Sequence, residues 1–210
     1  SVDRIKQHGL QPFGEEKYKS GQVDVSAQVT KLKQAGAEAV VLGTVYVSGS
    51  QFLREAKKIG WNVQAIGIPP TGLQKMIDLS GEAAPGFVNM MTNPDAEFGR
   101  GPAMDEYRRV IAKYYPSAPL DNTTMYGWIA TKLLVEILKR AGRDLTRDGL
   151  IAAGETLKNF ETGIGAPTTY SEAKHYGASA HYATVVRDVG GGKLRFVPIG
   201  PDMELGQAAT

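Results

Sequence analysis

Apolar residues recur at three- and four-residue spacing in several stretches of this chain, and short runs between those stretches are almost wholly apolar. The pattern is clearest from Asp24 to Gly67. Val25, Val29, Leu32 and Ala35 put an apolar stripe on one face of a helix that closes at Gly36, and the run Ala39 to Gly43 follows. A second amphipathic segment, Ser50 to Gly60, leads into Val63 to Gly67. Glycine suits the left-handed residue that ends a helix, so Gly36 and Gly60 mark two helix ends. Asp24 is the expected N-cap of the first helix, its carboxylate accepting first-turn N–H groups. Apolar runs this short read as strands buried on both faces of a parallel sheet. The alternation therefore predicts an α/β fold with a mostly parallel sheet flanked by helices. Such sheets bind ligands beyond the carboxyl ends of their strands, which directs attention to Thr44–Ser50 and Ile68–Gly72.

The rest of the chain continues the pattern. Phe13 to Ser20 has strand character, Leu73 to Ser80 reads as a short helix and Gly86 to Met91 as another strand. Thr92-Asn93-Pro94-Asp95 interrupts two well-patterned elements, and Pro94 drives Asn93 out of helical geometry, so this segment is a candidate hinge. Met104, Tyr107, Ile111 and Tyr115 form the buried face of a helix. Thr124 to Ala141 is the longest helix, with a broad apolar face of Ile129, Leu133, Leu134, Ile137 and Leu138, and Arg147 to Leu157 is a shorter one. Thr168–Tyr170, Tyr182–Val186 and Leu194–Val197 are β-like, the last two joined by a turn at Gly190-Gly191-Gly192.

Composition removes several function classes. The length of 210 residues allows one large or two small domains, and although 42% of residues are apolar no run approaches the ~20 that a membrane span needs. With 24 basic and 22 acidic residues, net +2, the charge is too balanced for a nucleic-acid surface. Arg108-Arg109 and Lys139-Arg140 read as solvated helix faces. Cysteine is absent, which excludes disulfides, thiolate metal sites and cysteine nucleophiles. Ser1 to Gly9 reads as the last turns of a helix, which predicts that the natural polypeptide continues upstream.

No set of residues converges on catalysis. Val189-Gly190-Gly191-Gly192-Lys193 lacks the Ser or Thr and the following helix of a phosphate loop and reads as a hairpin turn. Gly163-Ile164-Gly165 lies between a helix end and a strand, and Val47-Ser48-Gly49-Ser50 does not fit a nucleophile elbow. His8, His175 and His181 lack metal-ligand spacing, so neither a metal nor a cofactor is expected. Asn122-Thr123-Thr124 matches a glycosylation sequon, but its place before the long helix favours capping. Two tyrosines stand out. Tyr46 follows a strand and lies where such sheets place ligands, with core packing as the alternative. Tyr126 opens the long helix, either against Trp128 or against a ligand.

These residues also carry a resemblance. Asp24-x-Ser26-x-x-Val29-x-x-Leu32-Lys33-x-Ala35-Gly36-Ala37-Glu38-Ala39-Val40-Val41-Leu42 resembles the second lobe of periplasmic solute-binding proteins of the branched-chain amino acid receptor family. Phe52-Leu53-Arg54-Glu55-Ala56 with Gly60, Gly81-Glu82-Ala83-Ala84-Pro85-Gly86, Met125-Tyr126-Gly127-Trp128 and Gly163 to Ser171 continue the likeness in order, from about Asp24 to Val197. The resemblance implies a type I periplasmic-binding-protein-like fold with ligand held in a cleft, the first lobe being incomplete here. It assigns residues 1–91 and 168–210 to the second lobe and 92–167 to part of the first, with hinge crossings near 92–95 and 163–168. The first strand of the second lobe is expected upstream of Ser1. It also implies a receptor, periplasmic or lipid-anchored outside the cell, that serves an ABC transporter permease in the inner membrane without itself spanning it.

One departure bears on the ligand. The family's amino-acid receptors are expected to present a carboxylate to the ligand ammonium from the loop after the second strand, which here reads Gly67-Ile68-Pro69-Pro70-Thr71-Gly72 and has no acid. An unpaired, desolvated ammonium costs on the order of several kcal/mol. Tyr46 matches the family's stacking tyrosine. The expected site residues are therefore Tyr46, Ile68, Pro69, Pro70, Thr71 and Tyr126, and the expected ligand is an aromatic or branched aliphatic carboxylate, with a branched-chain amino acid if the counter-charge comes from upstream. A regulatory sensor domain of the same fold, or less readily an α/β enzyme, is the competing reading.

Overall fold

The computed structural model describes residues 2–19, 21–143, 145–177, 180–200 and 203–204. Seven helices and six strands occur among them: α1 (Val2–Gln7), α2 (Ser26–Gln34), β1 (Ala39–Leu42), α3 (Tyr46–Lys58), β2 (Gln64–Gly67), α4 (Gln74–Ser80), β3 (Val88–Met91), α5 (Pro102–Tyr114), α6 (Asn122–Ala141), α7 (Arg147–Glu155), β4 (Ala180–Asp188), β5 (Leu194–Pro198) and β6 (Met203–Glu204). Single 3-10 turns cover Pro69–Thr71 and Gly81–Ala83. The strands are ordered β1-β2-β3-β4-β5, with β6 antiparallel to β4. β1 runs parallel to β2, Leu42 facing Gly67, and β2 runs parallel to β3, Gly67 facing Asn89. The expected parallel sheet is present.

The chain divides into two compact units, Ser1–Asn89 with Val185–Phe196, and Met90–Thr184 with Val197–Thr210. The division places 168–184 and 197–210 with 90–167, whereas the sequence reading assigns them with 1–91. The boundaries at 89/90, 184/185 and 196/197 fall inside β3, β4 and β5, within continuous strands rather than in a loop that would announce a change of unit.

In the first unit, Val29, Phe52, Leu53, Ala56, Ala65, Met76, Ile77 and Phe87 share one core with Val186 and Phe196. Each large side chain so buried contributes about 1.5–3 kcal/mol. α2 and α3 both end in the closing motif expected of their glycines. Gly36 N–H reaches the Lys33 carbonyl (3.0 Å) and Ala37 N–H the Leu32 carbonyl (3.2 Å), while Gly60 and Trp61 repeat the pattern on Lys57 and Ala56. Four expectations are corrected here. Asp24 lies one residue before the N-cap position, held by Val25, although its carboxylate accepts the Ser26 N–H at 2.9 Å. Ala35 is exposed, because the buried stripe ends one turn earlier. Among the described residues β1 is an edge strand, and Val41 is 61% exposed, so only one face of β1 is covered. Residues 13–19 form no strand, and Phe13 is exposed: among the described residues no strand lies beside them, and a lone strand has no ladder to stabilise it. Ser1 and Ser20 lie outside the described residues.

The second unit has its own core of Ala96, Met104, Tyr107, Ile111, Met125 and Ile164, with Trp128 tilted against Tyr107 at 6.2 Å between ring centroids. Asp121 caps α6, accepting from the Thr123 and Thr124 amides, while Thr124 Oγ1 accepts from the Asp121 N–H in a capping box. Asn122 is therefore the first helical residue and is buried, so of the sequon it is Thr124 that shares in the cap, while the N-cap itself is Asp121. Tyr115 falls just past the end of α5 and is exposed, and Leu134 and Leu138 on α6 are exposed as well. Periodicity located this apolar face correctly but not what covers it. Arg108 is not a solvated residue: its guanidinium donates to the Ala96, Glu97 and Gly99 carbonyls at 3.0, 2.9 and 2.7 Å.

Candidate functional site

In the first unit the register of β1 on β2 brings the carboxyl ends of both strands level, at Leu42 and Gly67. Beyond β1 the chain needs only Gly43, Thr44 and Val45 before α3 begins at Tyr46. The helix starts four residues earlier than the Ser50 expected from periodicity. The reason is tertiary packing. Ser48, Gly49 and Ser50 are buried, and a Cβ on Gly49 would stand 3.1 Å from Met76 Cε and 3.3 Å from Thr71 Cγ2, so small residues let α3 approach α4 and the loop after β2. Tyr46 is half-buried at the first helical position, packed against the core on one side. Of the two readings of this tyrosine, the structure shows the core packing. No side chain caps α3 at Val45.

Beyond β2 the loop Ile68 to Gly72 folds into the 3-10 turn. Ile68 and Pro69 are half-buried, Pro70 is exposed and Thr71 is wholly buried. Thr71 consequently offers no surface to a ligand in this structure. Its hydroxyl donates to the Ile68 carbonyl (2.8 Å) and accepts from Asn89 Nδ2 (2.6 Å), and the same amide donates to the Ile68 carbonyl (2.8 Å). Gly67 makes this possible. A Cβ there would overlap Thr71 Oγ1 and stand 2.5 Å from Phe87 Cζ and 2.7 Å from Asn89 Nδ2. Neither Gly67 nor Asn89 emerged from sequence reasoning; the signal was a lone polar residue inside the apolar run of β3.

Tyr126 belongs to the second unit. It is 38% exposed, and its hydroxyl shares a 2.5 Å hydrogen bond with Thr92 Oγ1. It does not pack on Trp128, which turns instead toward Tyr107. Elsewhere in the second unit a cavity of about 430 Å³ is lined by Asp95, Phe98, Arg100, Ile164, Tyr182 and Ile199 among others. Burial pushes the Asp95 carboxyl above its ordinary range, against the N–H groups of Phe98 and Glu97 that its Oδ1 accepts at 2.8 Å each. Another cavity, in the first unit, lies at the amino ends of the strands beside Glu38, Gln64 and Phe87. Neither includes Tyr46 or the Ile68–Thr71 loop. Among the described residues no group of three or more His, Asp or Glu is placed to hold a metal ion. His175 instead pairs with Glu155 at 2.8 Å on the surface.

Comparison with known proteins decides the family. The family model described as periplasmic binding protein matches residues 1–193. The chain belongs to the periplasmic binding protein family. A Leu/Ile/Val-binding protein homolog of Brucella melitensis is 30% identical over 152 residues, covering 72% of this chain and 40% of the relative. Among solved structures, a branched chain amino acid ABC transporter protein from Thermus thermophilus with bound valine superposes with a TM-score of 0.79 at 24% identity, over 97% of this chain and 56% of that one. A fatty acid ABC transporter substrate-binding protein from Thermomonospora curvata reaches a TM-score of 0.81 at 22% identity, over 98% and 53%. These likenesses show the type I periplasmic-binding-protein-like fold, and this family member spans about half the length of those structures. Among its described residues no helix is long and apolar enough to cross a membrane.

Proposed function

We propose that this chain is part of an extracytoplasmic solute-binding receptor for an ABC importer, and that the carboxyl ends of β1 and β2 supply one wall of its ligand site. The solute we assign is a small aromatic or branched aliphatic carboxylate. The observation that carries the reading is the wall itself: Tyr46 and the Ile68–Pro70 surface follow adjacent parallel strands, and no ionisable side chain occurs from Gly67 to Gly72. A ring face and two prolines suit a hydrocarbon body and leave an ammonium without a counter-charge. The uncapped first turn of α3 beside Tyr46 favours a negative group over a positive one. The related structures support either ligand class, since one holds valine and another is a fatty acid receptor. The receptor is placed in the periplasm or lipid-anchored outside the cell, and its partner is the importer's permease.

A thermal-shift screen of phenylacetate, benzoate, 4-methylpentanoate, leucine and valine tests this, because a ligand that binds only the folded state raises its melting temperature. The acids are expected to stabilise and the amino acids not. Tyr46→Ala should weaken binding of the best acid by about 1–3 kcal/mol, the range for burying an aromatic face. Stabilisation by leucine and valine alone overturns the ligand class, and unchanged affinity in Tyr46→Ala removes Tyr46 from the wall.

A further inference from the structure

The loop after β2 is held by a buried polar lock whose consequence reaches the ligand. Asn89 on β3 is wholly buried and stands opposite Gly67 in the sheet. The Ile68 carbonyl receives three donors: Asn89 Nδ2 at 2.8 Å, Thr71 Oγ1 at 2.8 Å and the Thr71 N–H at 2.9 Å. A carbonyl has two lone pairs, so this oxygen has nothing left for a ligand. The Thr71 hydroxyl is spent in the same way, donating to Ile68 and accepting from Asn89 at 2.6 Å. The Pro69 carbonyl accepts the Gly72 N–H at 3.0 Å, and Pro69 and Pro70 have no N–H to give. The surface the loop leaves at its half-buried and exposed positions comes from the Ile68 side chain and two proline rings, with the backbone carbonyls that follow them.

We infer that Asn89 is a specificity-determining positioning residue: by drawing the Ile68 carbonyl and the Thr71 hydroxyl inward, it turns the loop into a hydrocarbon wall. Such a wall fits the apolar body of an aromatic or branched aliphatic acid and withholds the Ile68 carbonyl and the Thr71 hydroxyl from an α-ammonium. A buried asparagine satisfied only for the sake of the core would leave the loop's outer surface unaffected by its loss. Here its two acceptors are the only side-chain hydroxyl of the loop and the carbonyl at the loop's root. The inference rests on the reading of this loop as a ligand wall.

Amide hydrogen exchange on the 210-residue protein, its Thr71→Val, Asn89→Leu and doubly substituted forms separates the two roles. Thr71→Val keeps the side-chain shape, so it folds even if Asn89→Leu does not. Exchange at residues 71 and 72 should rise at least about tenfold in Thr71→Val, while the α4 amides keep their protection. The double form leaves no partner-less buried polar group from the pair and regains melting temperature relative to Asn89→Leu, yet its 71 and 72 amides should stay fast. Protection that is unchanged in Thr71→Val, or that returns with stability in the double form, overturns the lock. Titration with phenylacetate and phenylalanine, which differ by the ammonium-bearing carbon, gives the specificity. The native chain should prefer phenylacetate at least about tenfold, and Thr71→Val should narrow the ratio at least about threefold. A ratio that does not move overturns Asn89's role in specificity while the wall stands. Binding of neither compound sinks the wall and the specificity role with it, and the exchange result still reports on the lock.

Discussion

Gly67→Ala is the sharpest test of the packing beneath the loop. The added Cβ would overlap Thr71 Oγ1 and come within 2.5 Å of Phe87 Cζ and 2.7 Å of Asn89 Nδ2. None of these is the free end of a flexible surface chain: Phe87, Asn89 and Thr71 are 2%, 0% and 0% exposed. Overpacking of this kind costs about 1–3 kcal/mol. Displacing Thr71 and Asn89 also breaks at least two buried hydrogen bonds, at about 0.5–1.5 kcal/mol each. The sum is a loss of at least about 2 kcal/mol, equivalent to about 4–8 °C in Tm for a chain of this size. Gly127→Ala provides the opposite sign. Gly127 lies inside α6 with open space where its Cβ would go, so alanine should stabilise by about 0.5–1 kcal/mol through the entropy glycine loses in a helix. Urea unfolding followed by circular dichroism reads both changes. A Gly67→Ala protein within about 0.5 kcal/mol of the native chain would show that the loop yields freely and that the lock has little stiffness.

Two further outcomes follow from burial. Asp95 has its pKa raised by burial from the ordinary 3.8, so the folded state binds its proton more tightly than the unfolded state does. Its contribution to stability is complete below the unfolded pKa and is lost as pH rises through the folded one. Asp95→Asn keeps an oxygen for the Glu97 and Phe98 amides and removes the ionisation. Relative to the native chain it should gain stability from pH 4 to pH 7 in urea titrations, and a relative loss over that interval would refute the assignment. Val41→Lys places a charge on the exposed face of the edge strand β1, so it should leave Tm nearly unchanged while lowering concentration-dependent association in light scattering. Equal association in both proteins would show that β1 is not the adhesive edge.

Much of the fold was legible because local rules and tertiary structure agree. Gly36 and Gly60 end α2 and α3 with positive φ of 79° and 62°, as their positions require. The runs that became β1, β2 and β3 pair in parallel. What failed shares one cause, that periodicity reports which face needs cover but not what covers it. Val41, Tyr115, Leu134 and Leu138 all satisfied the apolar pattern and are exposed. The early start of α3 failed differently. Val45-Tyr46-Val47-Ser48-Gly49-Ser50 has poor helix formers, and only the closeness of Met76 and Thr71 shows why small residues were needed there. Arg108 looked like a surface cation because the three carbonyls it holds, at Ala96, Glu97 and Gly99, come from a turn with no pattern of its own.

The candidate wall divides along the same line. That it lies after β1 and β2, and that it lacks an acid from Gly67 to Gly72, are properties of linear order and were readable. Its supply of polar groups was not. Counted along the sequence, the loop offers a hydroxyl and several carbonyls to a ligand. In three dimensions the hydroxyl and the Ile68 carbonyl face Asn89, a residue eighteen positions from Thr71 and twenty-one from Ile68. Their direction depends on the β2–β3 register that sets Asn89 opposite Gly67, and a one-residue slip would turn the amide to the other side of the sheet. Composition therefore bounds what a loop can offer a ligand, while the neighbouring strand decides what it does offer. For this loop that decision favours an apolar ligand body, because the hydroxyl and the Ile68 carbonyl that could have softened the wall for an ammonium are held by Asn89.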